Sequence, residues 1–303
     1  MPARQDMSDE RTAAISAFDK PWAYVVLTKP DVTFLVVITT VAGFYLGSSG
    51  SMDLARLANT LCATLLVAGG TAALNQYVER EMDAVMRRTA SRPLPTGILQ
   101  GREVVAFGVG TIAIGTLWLL IAVNWLSAII ALATSISYLA AYTPLKTRTT
   151  LATAVGAIPG ALPPLIGWAA ARGSLGQGAW ILFAILFVWQ FPHFMAIAWM
   201  YREDYKRAGI QMLPVVDASG DITFRVILSM SAVLVPLSLL PFVMGMTGMS
   251  YFFGALILGI LLLQVGFWAN RNRTNMRAKW LMHATVAHIP ILLLWMTLDK
   301  AIR

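Results

Sequence analysis

The chain has 303 residues, of which 57% are hydrophobic and 13% charged, and its formal net charge is +8 at pH 7. A soluble domain carries roughly 25% charged residues, so this chain lacks the polar surface to face water on every side. Its mean hydropathy of +0.67 points to the bilayer as solvent. The basic residues are scattered over short connections instead of gathered on one module, which argues against a nucleic-acid-binding protein.

In chain order, the first 22 residues are polar and mixed in charge, with no apolar core before Pro21. They read as neither a cleavable signal nor an Arg-rich transit peptide. Residues 1–30 are expected to be a polar cytoplasmic segment and residues 31–303 a single membrane domain, whose first span directs insertion into a bacterial plasma (inner) membrane. Apolar runs of about 20 residues, the length of a membrane-crossing helix, lie at 33–50, 57–77, 104–123, 125–143, 150–170, 178–200, 226–245, 251–268 and 280–298. The split between the third and fourth rests on Asn124. The expected fold is an all-α polytopic bundle of nine transmembrane helices, N-terminus cytoplasmic and C-terminus outside. Of the 23 Lys and Arg residues, all but Arg56, Arg172, Lys300 and Arg303 then fall inside, as the positive-inside rule requires. The single cysteine, Cys62, lies within a span and reads as a small packing residue.

The connections differ in kind. Those expected outside are short and nearly uncharged. Those expected inside, at about 79–103, 144–149, 201–225 and 269–279, contain nearly all the acids, among them Glu79, Glu81, Asp83, Glu203 and Asp204. Topology needs only the positive charges, so the acids mark a working face. The exits of the second and sixth spans both carry acids, then bases, then a proline segment, which leaves an internal duplication open beside coincidence.

Asn75, Glu79 and Asp83 stand four residues apart where the second span ends. Steps of four on a helix put all three on one face. Such a face at a membrane boundary is expensive without a cation. Mg²⁺ takes oxygen ligands, commonly one or two carboxylates plus substrate phosphates, so the face can bridge metal to a diphosphate leaving group. The plainer reading is a helix end whose acids pair with Arg80 and Arg87. Arg87, Arg88 and Arg92 follow at once, placed to receive phosphate oxygens or simply to set topology. Tyr142 and Lys146 end the fourth span, as aromatic-belt residues or at the mouth of a cavity. In the 201–225 loop, Asp204 could share a metal while Lys206 and Arg207 face phosphate. His193 lies inside the sixth span beside Gln190 and Pro192, and an intramembrane histidine is a candidate for iron or carboxylate binding, or for an interhelical hydrogen bond. His283 and His288, in the last span, read as structural.

Asn75-x-x-x-Glu79-x-x-x-Asp83, Arg92-Pro93-Leu94-Pro95-x-Gly97 and Tyr142-x-x-x-Lys146 resemble the intramembrane aromatic prenyltransferases of the UbiA type. Three more segments resemble the heme-farnesylating branch of that superfamily: Gly160 to Trp168, Trp189-Gln190-Phe191-Pro192-His193-Phe194, and Arg202-Glu203-Asp204-Tyr205 with Ala208-Gly209 and Met212-Leu213-Pro214. The resemblance runs from about Lys29-Pro30 to the last helix. It departs at Glu79, where the superfamily usually has Asp, and in the second motif. There Asp204 falls one residue out of register and Tyr205 occupies the expected slot.

What the resemblance implies is Mg²⁺ on Asn75, Glu79, Asp83 and Asp204, holding farnesyl diphosphate. Tyr142 and Lys146 belong to the same catalytic set, and Arg87, Arg88, Arg92, Lys206, Arg207 and Tyr205 bind substrate. A vinyl group of heme B attacks the farnesyl chain and water completes heme O, with His193 positioning the heme. The partners implied are the lipid bilayer, these two substrates, and association with heme A synthase or terminal-oxidase assembly. Other readings are an acceptor that is a quinone precursor or another aromatic, and a heme carrier or transporter without chemistry. The last would place charges at the bilayer midplane on broken helices, whereas these charges lie at one face.

Overall fold

The structure, a computed structural model, describes residues 19–300. Arg4, Arg11, Arg303 and most of the segment expected to be a polar N-terminal extension lie outside the described residues. The first described element, α1 (Asp19–Leu27), is not simply polar. Its Ala23 and Leu27 are buried in a cluster with Ala73, Leu99 and Val104.

Among the described residues, nine helical segments are long and apolar enough to cross a membrane. They are α2 (Pro30–Gly47), α3 (Leu54–Val78), α5 (Gly101–Ala122), α6 (Trp125–Ile136) with its continuation, α7 (Ala152–Ala161) with α8 (Pro163–Arg172), α9 (Gln177–Met200), α12 (Asp221–Val243), α13 (Met249–Arg271) and α14 (Asn275–Leu298). Short helices α4 (Arg80–Val85), α10 (Arg202–Arg207) and α11 (Leu213–Val216) lie in the connections. The protein is therefore an all-α, multi-pass membrane bundle.

Local chemistry sets the boundaries. Several helices begin a turn earlier than their apolar runs, because capping residues and not hydropathy start a helix. Pro30 stands in the first turn of α2, where its missing N–H costs nothing, and Thr274 caps α14 by accepting the Arg277 N–H. Asn124 does separate α5 from α6: its side chain accepts the Ser127 N–H at 2.9 Å and donates to the Ala169 carbonyl at 2.8 Å.

The fifth expected span is not one helix. It breaks at Leu162 into α7 (Ala152–Ala161) and α8 (Pro163–Arg172), since Pro163 and Pro164 cannot donate into the preceding turn. The break lets α8 approach α2 closely. A Cβ on Gly43 would lie 2.0 Å from the Pro164 carbonyl oxygen, and one on Gly167 would lie 2.0 Å from that of Thr40. Small residues at a crossing give van der Waals contact that lipid, being as apolar as leucine, does not otherwise drive.

Candidate active site

One end of the bundle gathers the polar residues. α3 ends at Val78, and Glu79 links it to α4 with helical hydrogen bonds maintained: the Glu79 N–H donates to the Asn75 carbonyl at 3.0 Å, and the Asp83 N–H to the Glu79 carbonyl at 2.8 Å. The expected face therefore exists. Asn75, Glu79 and Asp83 are all buried, at 0%, 6% and 1% exposure, which rules out a solvated helix end.

Each has a basic or polar partner from elsewhere in the chain. Lys29 Nζ donates to Asn75 Oδ1 at 2.7 Å, and Asn75 Nδ2 donates to Thr143 Oγ1 at 3.2 Å. Lys146 Nζ pairs with Glu79 Oε1, and Arg92 Nη1 donates to Asp83 Oδ2 at 2.6 Å. The acids do not pair with Arg87: that side chain is exposed, and Arg80 pairs with Glu81 at 3.1 Å.

The backbone places Lys146 through a π-helical turn, Ser137–Tyr142, followed by Thr143–Leu145. Such turns are rare and cluster at functional sites. This one aims two rings at the ammonium group, with Lys146 Nζ 4.4 Å from the Tyr142 ring centroid and 6.0 Å from that of Tyr138.

The charges shape one another. Burial pushes the Glu79 carboxyl up, but Lys146 and Lys29 outweigh it and hold Glu79 below the usual carboxylate range. Burial opposes the Lys146 charge too, yet Tyr142 and Glu79 beside it leave its pKa raised. Lys29 is brought down to about 7, chiefly by burial, with Glu79 offsetting part of the effect.

Lys29 went unassigned in the sequence reading because a lysine ahead of a first span looks like a topology signal. It is the only described non-glycine residue with positive φ, at 49°. The signal that could have found it is Lys-Pro at the start of the span. Proline disfavours the helical conformation at the preceding residue, so the chain turns there and the side chain folds back onto Asn75.

The second acidic loop reaches the same end. Asp204, 9% exposed, accepts the Arg88 N–H at 3.3 Å and pairs with Arg207, so it lies against the loop that follows Asp83. Tyr205 is buried with Met86, Ala198, Ile210 and Met212 and acts as packing between the loops. Arg88 lies 5.1 Å over the Tyr201 ring. Arg87, Arg88, Lys206 and Arg207 are exposed at the rim.

His193 is not part of this cluster. It sits within α9, accepting or donating a 2.9 Å hydrogen bond with Thr285 Oγ1 and stacked on Trp189 at 5.0 Å.

Among the described residues, no three His, Cys, Asp or Glu side chains converge as a metal cluster. The metal-binding capacity lies in oxygens of mixed type: the Asn75 amide, the Glu79 carboxylate, and Asp83 Oδ1, which is buried without any hydrogen-bond partner. A buried carboxylate oxygen left unpaired is costly, so this donor set fits a hard cation arriving with its ligand. Inward from the cluster runs a narrow apolar cavity of about 140 Å³ between α2, α3, α6, α7 and α8. Lys29 and Tyr138 lie on its wall with Thr71, Ser135, Pro159 and Ile166.

The buried acid and base cluster lies at the mouth of an apolar cavity within a helical membrane bundle, an arrangement suited to a ligand with a charged head and an apolar tail. The model of the UbiA prenyltransferase family matches residues 36–292, and the chain belongs to that family. It is a prenyltransferase, of the protoheme IX farnesyltransferase branch. It is 48% identical over 286 residues to the protoheme IX farnesyltransferase of Solibacter usitatus, covering 91% of this chain and 98% of that protein.

Solved structures share the fold. That of digeranylgeranylglyceryl phosphate synthase superposes with a TM-score of 0.77 at 18% identity, covering 93% of this chain and 98% of the other. That of a UbiA homolog from Archaeoglobus fulgidus bound to DMAPP and Mg²⁺ superposes with a TM-score of 0.67 at 16% identity, covering 88% and 98%.

Proposed function

We propose that this protein transfers the farnesyl group of farnesyl diphosphate to a vinyl group of heme B, with addition of water, giving heme O. The observation that carries the reading is the junction of Asn75, Glu79 and Asp83 with Lys29, Lys146 and Arg92 above an apolar cavity. Lys146 and Arg92 set two cations against the two carboxylates of Glu79 and Asp83, and Lys29, brought down to about 7 in the resting protein, becomes the third when a diphosphate beside it favours the charged form. The farnesyl chain extends down the cavity away from them.

The chemistry follows from that placement. The C1–O bond of farnesyl diphosphate breaks and its electron pair leaves with the diphosphate, whose growing charge Lys29, Lys146 and Arg92 neutralise. The rings of Tyr138 and Tyr142 offer their negative faces to the allylic cation, while the apolar wall keeps water from it. The vinyl π electrons form the new bond to C1. The cation left beside the porphyrin takes water, which loses one proton to become the hydroxyl. Mg²⁺ bound by Asn75, Glu79, Asp83 and Asp204 would supply further neutralisation of the leaving diphosphate, and the fold-related protein with DMAPP and Mg²⁺ supports this role.

The acceptor rests on the relatives' names. His193 is assigned to heme, through iron or a propionate, with Trp189 and Thr285 fixing its ring. Arg87, Arg88, Lys206 and Arg207 draw the anionic substrate to the rim. The Lys and Arg distribution supports a cytoplasmic working face in a bacterial inner membrane, and residues 31–303 act as one catalytic domain.

The test is mass spectrometry of purified protein incubated with heme B, farnesyl diphosphate and Mg²⁺, with and without EDTA. A Mg²⁺-dependent product heavier than heme B by a farnesyl group plus water is expected. Unmodified heme with prenylation of a quinone precursor would refute the acceptor. Replacing His193 with Ala should weaken heme binding and turnover together, and normal heme affinity in that variant would remove the role given to His193.

A further inference from the structure

The opposite end of the bundle holds a larger cavity that the prenyl-transfer reading leaves unused. It measures about 590 Å³ and lies among the C-terminal ends of α2, α8 and α12 and the start of α9, with Tyr45, Ser49, Trp168, Arg172, Met244 and Lys300 on its wall. A cavity of that size is in the range that holds an organic ligand.

Two cations face it without a carboxylate. Arg172 donates to the Gly47 carbonyl at 2.7 Å and to Ser49 Oγ at 2.9 Å. Lys300 donates to the Tyr45 carbonyl at 2.5 Å and to the Ser48 carbonyl at 2.7 Å. These bonds cap the end of α2 but use only part of the supply, since a guanidinium has five N–H donors and an ammonium three. Neither residue takes part in an ion pair among the described residues. The nearest acid in sequence, Asp299, is committed to the Tyr251 N–H at 2.7 Å.

Helix capping does not explain a third donor. Trp168 is 5% exposed, and its Nε1–H is buried with no partner. Its ring is held by close neighbours, with a Cβ on Gly47 lying 3.2 Å and one on Gly178 lying 2.4 Å from ring atoms. A buried indole N–H normally finds an acceptor. Burial, and then the neighbouring Arg172, lower the pKa of Lys300, as expected for two cations held close together.

We propose that this cavity binds the phosphodiester headgroup of an anionic phospholipid from the leaflet at that end. The phosphate oxygens accept from Arg172, Lys300 and Trp168 Nε1. The glycerol lies against the Tyr45 ring, and the acyl chains leave over Met244, 40% exposed, and Val243, 68% exposed. That apolar exit favours a lipid over a free phosphate, which would have no use for it. The site stands apart from the prenyl-transfer site, so its failure would leave that assignment intact.

The test is lipid binding to the purified full chain in neutral detergent, read by native mass spectrometry and by the rise in melting temperature. Titrants are phosphatidylglycerol, phosphatidylcholine and inorganic phosphate. Phosphatidylglycerol should bind and stabilise, and Arg172→Gln with Lys300→Gln should abolish both effects. Trp168→Phe, which keeps an aromatic side chain and the α2 caps but removes the Nε1–H donor, should weaken binding by about tenfold, the loss of one hydrogen bond to a charged group. If the double variant fails to fold, Trp168→Phe decides alone. Unchanged affinity in Trp168→Phe, or equal stabilisation by phosphatidylcholine or inorganic phosphate, would overturn the assignment.

Discussion

Replacing Lys146 with Met tests whether the buried cluster is held by charge pairing. Glu79 is 6% exposed and Lys146 is its direct partner, so the variant strands a carboxylate in a site closed to water. Removing one member of a buried pair costs about 3–5 kcal/mol, most of it the penalty on the charge left behind. Lys29 still acts on Glu79 through space, which places the loss at the lower end, about 3 kcal/mol. At roughly 2–4 °C per kcal/mol, the melting temperature should fall by about 6–12 °C.

The second arm adds Glu79→Gln. With no charge stranded, the double variant should recover much of that loss, while turnover stays low if, as proposed, Lys146 serves the diphosphate and Glu79 the metal. Melting scans in one detergent at one scan rate give the comparison, since unfolding of such proteins is seldom reversible. A single variant as stable as the wild type, or a double variant no more stable than the single, would refute the pairing as the organising interaction.

Asp83→Asn keeps the shape of the side chain but removes the charge that holds Arg92 and leaves one oxygen where the carboxylate has two, one of them unpartnered; turnover should be lost with the fold intact, and full activity would exclude Asp83 as a ligand. Gly167→Ala puts a methyl group 2.0 Å from the Thr40 carbonyl oxygen, so α2 and α8 must separate at a cost of about 1–3 kcal/mol. Gly110→Ala, where nothing lies within 4 Å, should be neutral or slightly stabilising, and equal melting temperatures for the two variants would refute the close crossing. Asp217 accepts the Thr223 N–H at 2.7 Å and its hydroxyl at 2.9 Å. Burial raises its pKa, but these bonds outweigh that and hold it below its ordinary 3.8. Its contribution, about 1 kcal/mol as at a helix cap, is therefore present at neutral pH and lost as pH falls through the lowered pKa. The stability gap between wild type and Asp217→Ala should close in acid, and a gap independent of pH would contradict the assignment.

The spans were legible because bilayer thickness fixes their length and nothing else in the chain competes with that signal. The break in the fifth was not, since hydropathy averages over Leu162 while two prolines interrupt hydrogen bonding only locally. Within the site, Asn75, Glu79 and Asp83 could be read as one face because helical spacing is a local property. Their partners could not. Lys146 meets Glu79 only through a π-helical turn that adds a residue to the helix, and Lys29 meets Asn75 only because α1 turns back ahead of Pro30. Asp204 is an intermediate case. In the family's spacing it is one residue out of register, yet it lies against Arg88 while Tyr205, in the expected slot, is buried as packing. Side-chain reach through a short helix absorbs a one-residue offset that a linear motif treats as a mismatch.

The arrangement also explains why acids and bases share one site. Carboxylates alone at the end of a membrane bundle would be expensive to bury, and cations alone would bind any anion that reached them. Interleaved, each offsets the desolvation of the other in the resting protein, and the cluster holds together without ligand. A diphosphate arriving with Mg²⁺ brings both signs of charge, so it can replace both halves of each pair: the cations turn to phosphate and the carboxylates to metal. A monoanion or a bare divalent ion satisfies only one half and leaves the other stranded. On the proposed function, selectivity for a metal-bound diphosphate would follow from the Glu79–Lys146 and Asp83–Arg92 pairs themselves. On this account Mg²⁺ and a diphosphate should stabilise the protein together by more than the sum of their separate effects, and additive shifts in melting temperature would show that the pairs do not exchange partners.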